Sequence, residues 1–138
     1  MKLFVDTSIL LDVLVLREPF YADSARVWTL VETGAITGFV SVLSLPNLCY
    51  LLRRSKGQAA ARNGMATLRN IFALVPLEVQ LTHQAIDADI DDFEDAVQFF
   101  VALRCGASVL LTRNPKGFPR PDVPVQTPSE FLAVYRPN

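Results

Sequence analysis

Lys2-Leu3-Phe4-Val5-Asp6-Thr7-Ser8-Ile9-Leu10-Leu11-Asp12 is a short apolar run that ends on a charge, followed by two hydroxyl residues and a second apolar run. Lys2 to Val5 suits a buried strand. Asp6, Thr7 and Ser8 carry oxygens of the kind that cap a helix N-terminus, and the run from Ile9 has helical spacing. The stretch is therefore a strand-to-helix junction with an acid at the turn. The same alternation continues outward. Ala22 to Glu32 is amphipathic and stops before Gly34, after which Ile36 to Ser41 reads as a second strand. A helix begins near Ser44 with Leu48, Leu51 and Leu52 at helical spacing, and another from about Gln58 to Ile71 sets Met65, Leu68 and Phe72 on one side. Phe72 to Leu77 is a third strand and Thr82 to Ile90 a short helix. Asp92 opens the clearest amphipathic helix, with Ala96, Phe99, Phe100 and Leu103 on its apolar side, ending at Gly106. Ala107 to Leu111 is a fourth strand. Val123-Pro124-Val125 is at best a short edge strand, because proline cannot donate to a central ladder. Strands separated by helices need crossover connections, so the expected fold is α/β: a three-layer sandwich with a mainly parallel sheet of four or five strands and helices on both faces.

The composition sets the outer bounds. The chain has 138 residues, 51% of them hydrophobic, which is enough for one core and too little for two, so residues 1–138 are expected to form a single domain. No apolar run is long and uncharged enough for a membrane helix. The opening Met-Lys-Leu-Phe-Val-Asp lacks the features of a secretory signal, so a cytoplasmic protein is expected. Cys49 and Cys105 stand among apolar neighbours and read as buried reduced thiols. Net charge is −1, yet the charges are segregated. Between Glu32 and Glu78 there is no acid, while Arg53, Arg54, Lys56, Arg62 and Arg69 lie in that stretch. Between Arg69 and Arg104 there is no Lys or Arg, while Glu78, Asp87, Asp89, Asp91, Asp92, Glu94 and Asp95 are gathered there. Both runs are consistent with solvated helix faces. They are also consistent with an acidic centre that holds cations beside a basic surface that holds phosphates.

In a sheet of this kind ligands bind beyond the carboxyl ends of the strands. Asp6 follows the first strand, Ser41 and Ser44 the second, and Thr112-Arg113-Asn114 the fourth. Asp92 and Asp95 stand three apart at the start of a helix and share a face. Such an oxygen-only set favours Mg²⁺ or Mn²⁺, and zinc would lack its usual ligands, since His83 is the one histidine. Each residue also has a structural reading. Asp6 caps a helix, although Thr7 or Ser8 would serve as well. Asp92 reads as an N-cap with Asp95 at the third helical position, a variant of the capping box that suits the positive end of the helix dipole. Asp95 also leads directly into the apolar stripe, which favours a place in the site. Asp91 and Glu94 read as solvated, and Asn114-Pro115 as a turn.

These segments resemble the PIN-domain family. The similarity lies in Val-Asp-Thr-Ser-Ile-Leu-Leu-Asp from Val5, Asp-Phe-Glu-Asp-Ala from Asp92, Leu-Leu-Thr-Arg-Asn from Leu110, and Thr-Pro-Ser-Glu-Phe-Leu from Thr127, in order along nearly the whole chain. The resemblance implies a metal-dependent endoribonuclease, of the kind that forms the toxin half of a toxin-antitoxin pair. By matching positions it implies Asp6 and Asp95 as acids at a Mg²⁺ site, with Asp92 beside them, and Asn114 after the fourth strand. One position departs from the pattern. Asn47 stands where the family has a glutamate, so the site loses a charge and a carboxylate base, which Asp92 would restore in part. The alternative is a catalytically weak or inactive PIN-like module that binds RNA or a protein. Arg53, Arg54, Lys56 and Arg113 are the candidate RNA contacts; they would otherwise meet a small antitoxin protein or a second subunit in a homodimer. A phosphoacceptor receiver domain would need an Asp after the third strand, where Leu77-Glu78 stands. A dehalogenase-type phosphatase would need one two residues after Asp6, where Ser8 stands.

Overall fold

The computed structural model describes residues 1–118 and 122–137. Its elements are β1 (Lys2–Val5), α1 (Thr7–Leu14), α2 (Tyr21–Glu32), β2 (Thr37–Ser41), α3 (Ser44–Lys56), α4 (Gln58–Ile71), β3 (Ala73–Val75), α5 (Val79–Asp87), α6 (Phe93–Arg104), β4 (Val109–Leu111), β5 (Val125–Gln126) and α7 (Pro128–Val134), with a 3₁₀ turn at Pro115–Gly117. The strands form one sheet in the order β3-β2-β1-β4-β5, and every pairing is parallel. The five-stranded parallel sheet flanked by helices is the architecture expected from the sequence. The third strand is shorter than the run from Phe72 to Leu77 suggested, and α5 starts three residues before Thr82 and ends at Asp87.

Strand alternation divides the core in two. Leu3 and Val5 of β1, with Val109 and Leu111 of β4, face α1, α2, α4 and α7. Phe4 and Leu110, one residue out of phase, face α5 and α6. A strand buried on both faces has no polar side to alternate with, which is why β1 and β4 read as continuous apolar runs. Val123-Pro124-Val125 does lead to the edge. Pro124 cannot donate, but its carbonyl accepts from the Leu110 amide at 2.9 Å, and β5 follows as the outermost strand. The thiols are free and half-buried, not sealed in the core as their neighbours suggested, because each lies at a helix flank. Among the described residues no helix is long and apolar enough to cross a membrane.

This order places one crevice. From β1 the chain runs to β2 and β3 on one side, then returns to β4 and β5 on the other. The direction of winding reverses between β1 and β4, and the carboxyl ends of strands at such a reversal leave an opening. Asp6 leaves β1 and Thr112 leaves β4 at that opening, and the Asp6 amide donates to the Leu111 carbonyl at 3.0 Å.

Gly38 of β2 lets the sheet meet its helices closely. A Cβ there would lie 2.8 Å from both Phe72 Cδ1 and Val31 Cγ1, inside van der Waals contact. Gly38→Ala is therefore expected to cost about 1–3 kcal/mol of stability, read as a lower urea midpoint. An unchanged midpoint would show that Phe72 and Val31 move aside freely.

Candidate active site

The crevice is floored by uncharged polar groups. Thr7 Oγ1 and Ser44 Oγ lie 2.7 Å apart, and Gln98 Nε2 donates to both at 3.0 Å. All three residues are buried, so the bonds replace the water each group gives up. They also tie together the first residues of α1 and α3 with the middle of α6.

Asp6 stands on this floor. Its Oδ1 accepts from the Thr7 amide at 2.8 Å, and its Oδ2 from Ser8 Oγ at 3.1 Å and Thr112 Oγ1 at 2.9 Å. Asp6 is thus the N-cap of α1 and something more, since capping occupies one oxygen while the other faces two hydroxyls across the crevice. Burial pushes its pKa up, opposed by the bonds from Thr112, Ser8 and Thr7 and by the charge of Arg113.

The N-terminal turn of α6 supplies the other carboxylates. Asp92 is its N-cap, and Oδ1 accepts from the Asp95 amide at 2.9 Å. Asp92 is solvent-exposed, so capping accounts for one of its oxygens. Asp95 is half-buried, and its pKa is raised from 3.8 to about 6 by burial and then by the charges of Asp6, Asp92 and Glu94. Glu94 is not solvated as its place in an acidic run suggested. Its Oε1 receives Thr7 Oγ1 at 3.4 Å and its Oε2 receives Asn47 Nδ2 at 3.5 Å. Burial, then Asp6, raises its pKa. The carboxylate that faces Asn47 is therefore Glu94 of α6, and not Asp92. A signal for this was present in the sequence. Glu94 precedes Gln98 by four residues and shares its helix face, so a buried Gln98 turns Glu94 inward.

Asn114 completes the rim. Its amide donates to Thr112 Oγ1 at 3.2 Å, and the 3₁₀ turn that follows folds over Asp95. A Cβ on Gly117 would sit 2.9 Å from Asp95 Oδ2 and 3.4 Å from Asn114 Nδ2, so a residue without a side chain is what permits this approach. Asp92, Asp95, Asn114, Lys116 and Gly117 line an open cleft of about 460 Å³. Lys116 and Gly117 carry no signal in the sequence, since their role comes from the turn. Ser41 does not join them: its hydroxyl accepts from the Leu43 amide. Asp91 is exposed.

The basic candidates separate into two groups. Arg53, Arg54 and Lys56 are exposed on the last turns of α3. Two of their guanidinium groups lie 5.9 and 5.7 Å from the Tyr50 ring. Asn47, Tyr50 and Arg54 follow one helical stripe outward from the acids. Arg113 faces the other way. Its Nε is 3.2 Å from Oδ2 of Asp12, which is fully buried, and its guanidinium lies 4.5 Å from the centre of the Phe20 ring.

All the ligand atoms on offer near Asp6 and Asp95 are oxygens of carboxylate, hydroxyl and amide, a donor set that fits a hard divalent cation. Among the described residues no three His, Cys, Asp or Glu side chains are already drawn into a metal-holding group. The fit rests on donor chemistry and on Glu94 and Asp95, whose pKa values are raised by burial and then by neighbouring acids.

Comparisons with known proteins bear on the family and the fold. The family model for the PIN domain matches residues 2–116. Ribonuclease VapC1 of Aquifex aeolicus (strain VF5) is 24% identical over 135 residues, covering 94% of this chain and 92% of that protein. Among solved structures, VapBC2 from Rickettsia felis, bound to a DNA fragment from its promoter, contains a chain similar at 17% identity and a TM-score of 0.71, covering 92% of this chain and 98% of that one. Mycobacterium tuberculosis VapC20, described as a Sarcin-Ricin loop cleaving toxin, matches at 23% identity and a TM-score of 0.65, covering 78% and 86%.

The raised carboxyl groups make a pH prediction. A pKa above its unfolded value means the folded state holds its proton more tightly. The stability linked to protonated Asp95 is therefore fully present below 3.8 and lost as pH rises through about 6. In metal-free buffer, Asp95→Asn should gain melting temperature relative to the wild type as pH increases across that window. A constant difference between the two proteins would show that Asp95 is not under this repulsion.

Proposed function

The chain belongs to the PIN domain family, and on that premise we propose that it is a Mg²⁺-dependent endoribonuclease, the toxin of a toxin-antitoxin pair, acting in the cytoplasm as one domain. The observation that carries this reading is the state of Asp95, whose carboxyl group is pushed up by burial and by Asp6, Asp92 and Glu94 together. Acids held against their own repulsion, on a buried polar floor, have a use when a cation joins them. Asp6, Asp95 and Glu94 would hold Mg²⁺ or Mn²⁺, with Asp92 and Asn114 at the outer edge. When bound, the cation supplies Lewis-acid stabilisation of charge on the phosphate and eases deprotonation of an attacking water.

The chain's own groups do the rest. Thr7, Ser8 and Thr112 fix the Asp6 carboxylate by donating to it, so it cannot rotate away from the crevice. Asn47 donates to Glu94 and orients that carboxylate, the task left to an amide once it is no longer an acid. Burial, then the neighbouring acids, raise the pKa values of Asp95 and Glu94, so a cation that joins them relieves an unfavourable concentration of charge. Arg53, Arg54 and Lys56 would hold the phosphates of the strand, with Tyr50 between them and the acids. A recessed site suits single-stranded or looped RNA, whose phosphate can enter it, better than a rigid duplex. The competing reading, an inactive RNA-binding or protein-interaction module, rested on the charge missing at position 47. Glu94, which faces Asn47, supports the active reading over that one. A small antitoxin protein is the partner this reading implies, and a homodimer is compatible with it.

Two outcomes test the reading. Mg²⁺ or Mn²⁺ should raise the melting temperature of the wild type, by the equivalent of about 2.7 kcal/mol at a hundredfold excess over Kd, and should support RNA cleavage. Asp6→Asn combined with Asp95→Asn should abolish both effects. A wild-type thermal response in that double variant would place the cation elsewhere.

Replacing Arg53, Arg54 and Lys56 with Gln should weaken RNA binding across sequences and flatten its salt dependence, by roughly 0.7 in log-log slope for each phosphate no longer neutralised. The metal-induced stabilisation should stay. An unaltered slope, with loss of binding to an acidic protein partner, would assign this stretch to the partner instead.

A further inference from the structure

On the far side of Arg113 from the acidic cleft lies a second cavity, of about 230 Å³, between the start of α2, the segment leaving β4 and the start of α7. We propose that it is a nucleobase subsite that receives the base of the nucleotide next to the scissile phosphate; this rests on the endoribonuclease reading. The cavity is bounded by Pro19, Phe20, Ser24, Arg113, Thr127 and Pro128, with Asp23 also on its wall. Two prolines and an exposed phenyl ring give it flat apolar sides, and a carboxylate, hydroxyls and a guanidinium give it a polar edge. A base has the same division, with apolar faces and a polar perimeter. The volume is below that of a pocket for a drug-sized ligand, which suits a single ring system.

A phosphate is the poorer occupant. Arg113 is the cation on the wall, and its charge is already balanced by buried Asp12, with Nε 3.2 Å from Oδ2. Asp23 would repel a phosphate. The guanidinium instead lies over Phe20, 4.5 Å from the ring centre, which leaves a stacking wall of aromatic and guanidinium groups, the kind of surface on which bases pack. The edge groups are selective. Asp23 accepts from an amino group, and the outer nitrogens of Arg113 donate to a carbonyl oxygen. Guanine and cytosine carry both; uracil has no amino group and adenine no carbonyl.

The position fits a neighbouring nucleotide. Arg113 stands between Thr112, which donates to Asp6 at 2.9 Å, and Asn114, which lines the acidic cleft. Arg113 lines the cavity and its chain neighbour Asn114 lines the cleft, and consecutive Cα atoms are about 3.8 Å apart, so the two openings adjoin along the segment that leaves β4. A strand with its phosphate at Asp6 and Asp95 can turn one flanking base over that segment.

Arg113 is unsuitable for the test, since its loss strands a buried carboxylate and endangers the fold. Phe20 is 40% exposed, and Asp23 lies half-buried in the first turn of α2 with its neighbours small or polar, so Phe20→Ala and Asp23→Asn can be read safely. Wild-type protein with Mn²⁺ should cleave a randomised single-stranded RNA with guanine or cytosine favoured at one position flanking the cut. Phe20→Ala should raise the KM for that RNA about tenfold, as removal of one stacking ring implies, and Asp23→Asn should relax discrimination against uracil. An unchanged KM in Phe20→Ala, or cleavage by the wild type without preference for guanine or cytosine, overturns the subsite. Binding gives a readout independent of cleavage. In the Asp6→Asn, Asp95→Asn double variant, GMP or CMP should shift the amide NMR signals of Phe20, Ser24 and Thr127, and UMP should not. No shift with any of the three overturns the subsite even if RNA is cut. Shifts without cleavage by the wild type uphold it and sink the nuclease reading.

Discussion

Gln98 holds the site in one place. Its amide nitrogen donates to Thr7 and Ser44 from the middle of an otherwise apolar helix, and through them joins α6 to the N-termini of α1 and α3. Three helices that enter the crevice from different parts of the chain are thereby fixed against one another by directed bonds, where apolar packing alone would leave their rotation loosely determined. Every carboxylate of interest stands on one of those helices or beside it. Asp6 caps α1, Glu94 and Asp95 lie in the first turn of α6, and Asn47 is one turn into α3.

The floor is neutral and the layer above it is charged, which is the arrangement that raises carboxyl pKa values most effectively. Burial disfavours each charge, and each charge disfavours its neighbours. Asp6 differs from Asp95 in how this is met. Three donors and the charge of Arg113 act on Asp6, whereas burial and three like charges all push Asp95 the same way. The first is a carboxylate held in one orientation, and the second a carboxyl group whose charge is opposed from every side. The same contrast separates the two arginine groups. Arg113 is committed to Asp12 and Phe20 inside the fold, while Arg53, Arg54 and Lys56 remain exposed at the end of α3.

Sequence and structure meet most closely at β1. Its apolar run, the acid that ends it and the helix that follows were legible because each rests on local chemistry: burial on both faces for Leu3, Phe4 and Val5, and side-chain oxygens suited to a cap at Asp6. The edge position of the Pro124 segment was legible for the same reason, as proline withholds a donor wherever it stands. Less could be read around α6. The acidic run from Asp87 to Asp95 looks uniform in sequence, and its members part company only when the helix starts. Asp91 and Asp92 line the open cleft as exposed side chains, and Glu94 turns in toward Thr7 and Asn47, because a helix beginning at Phe93 sets Glu94 above Gln98.

The sequence by itself determined the alternation of strands and helices, the two-faced burial of β1 and β4, and the presence of acids at strand and helix ends, since these follow from periodicity and from interactions spanning a few residues. Tertiary structure decided the order β3-β2-β1-β4-β5, the pairing of Thr112 with Asp6, the facing of Asn47 and Glu94, and the turn that brings Gly117 against Asp95. Those interactions join residues far apart in the chain, and which of them form depends on how the sheet winds and how the helices rotate once packed. The spacing of Glu94 and Gln98 marks a shared face of α6, but Asn47 is what that face meets only because the fold sets α3 and α6 side by side.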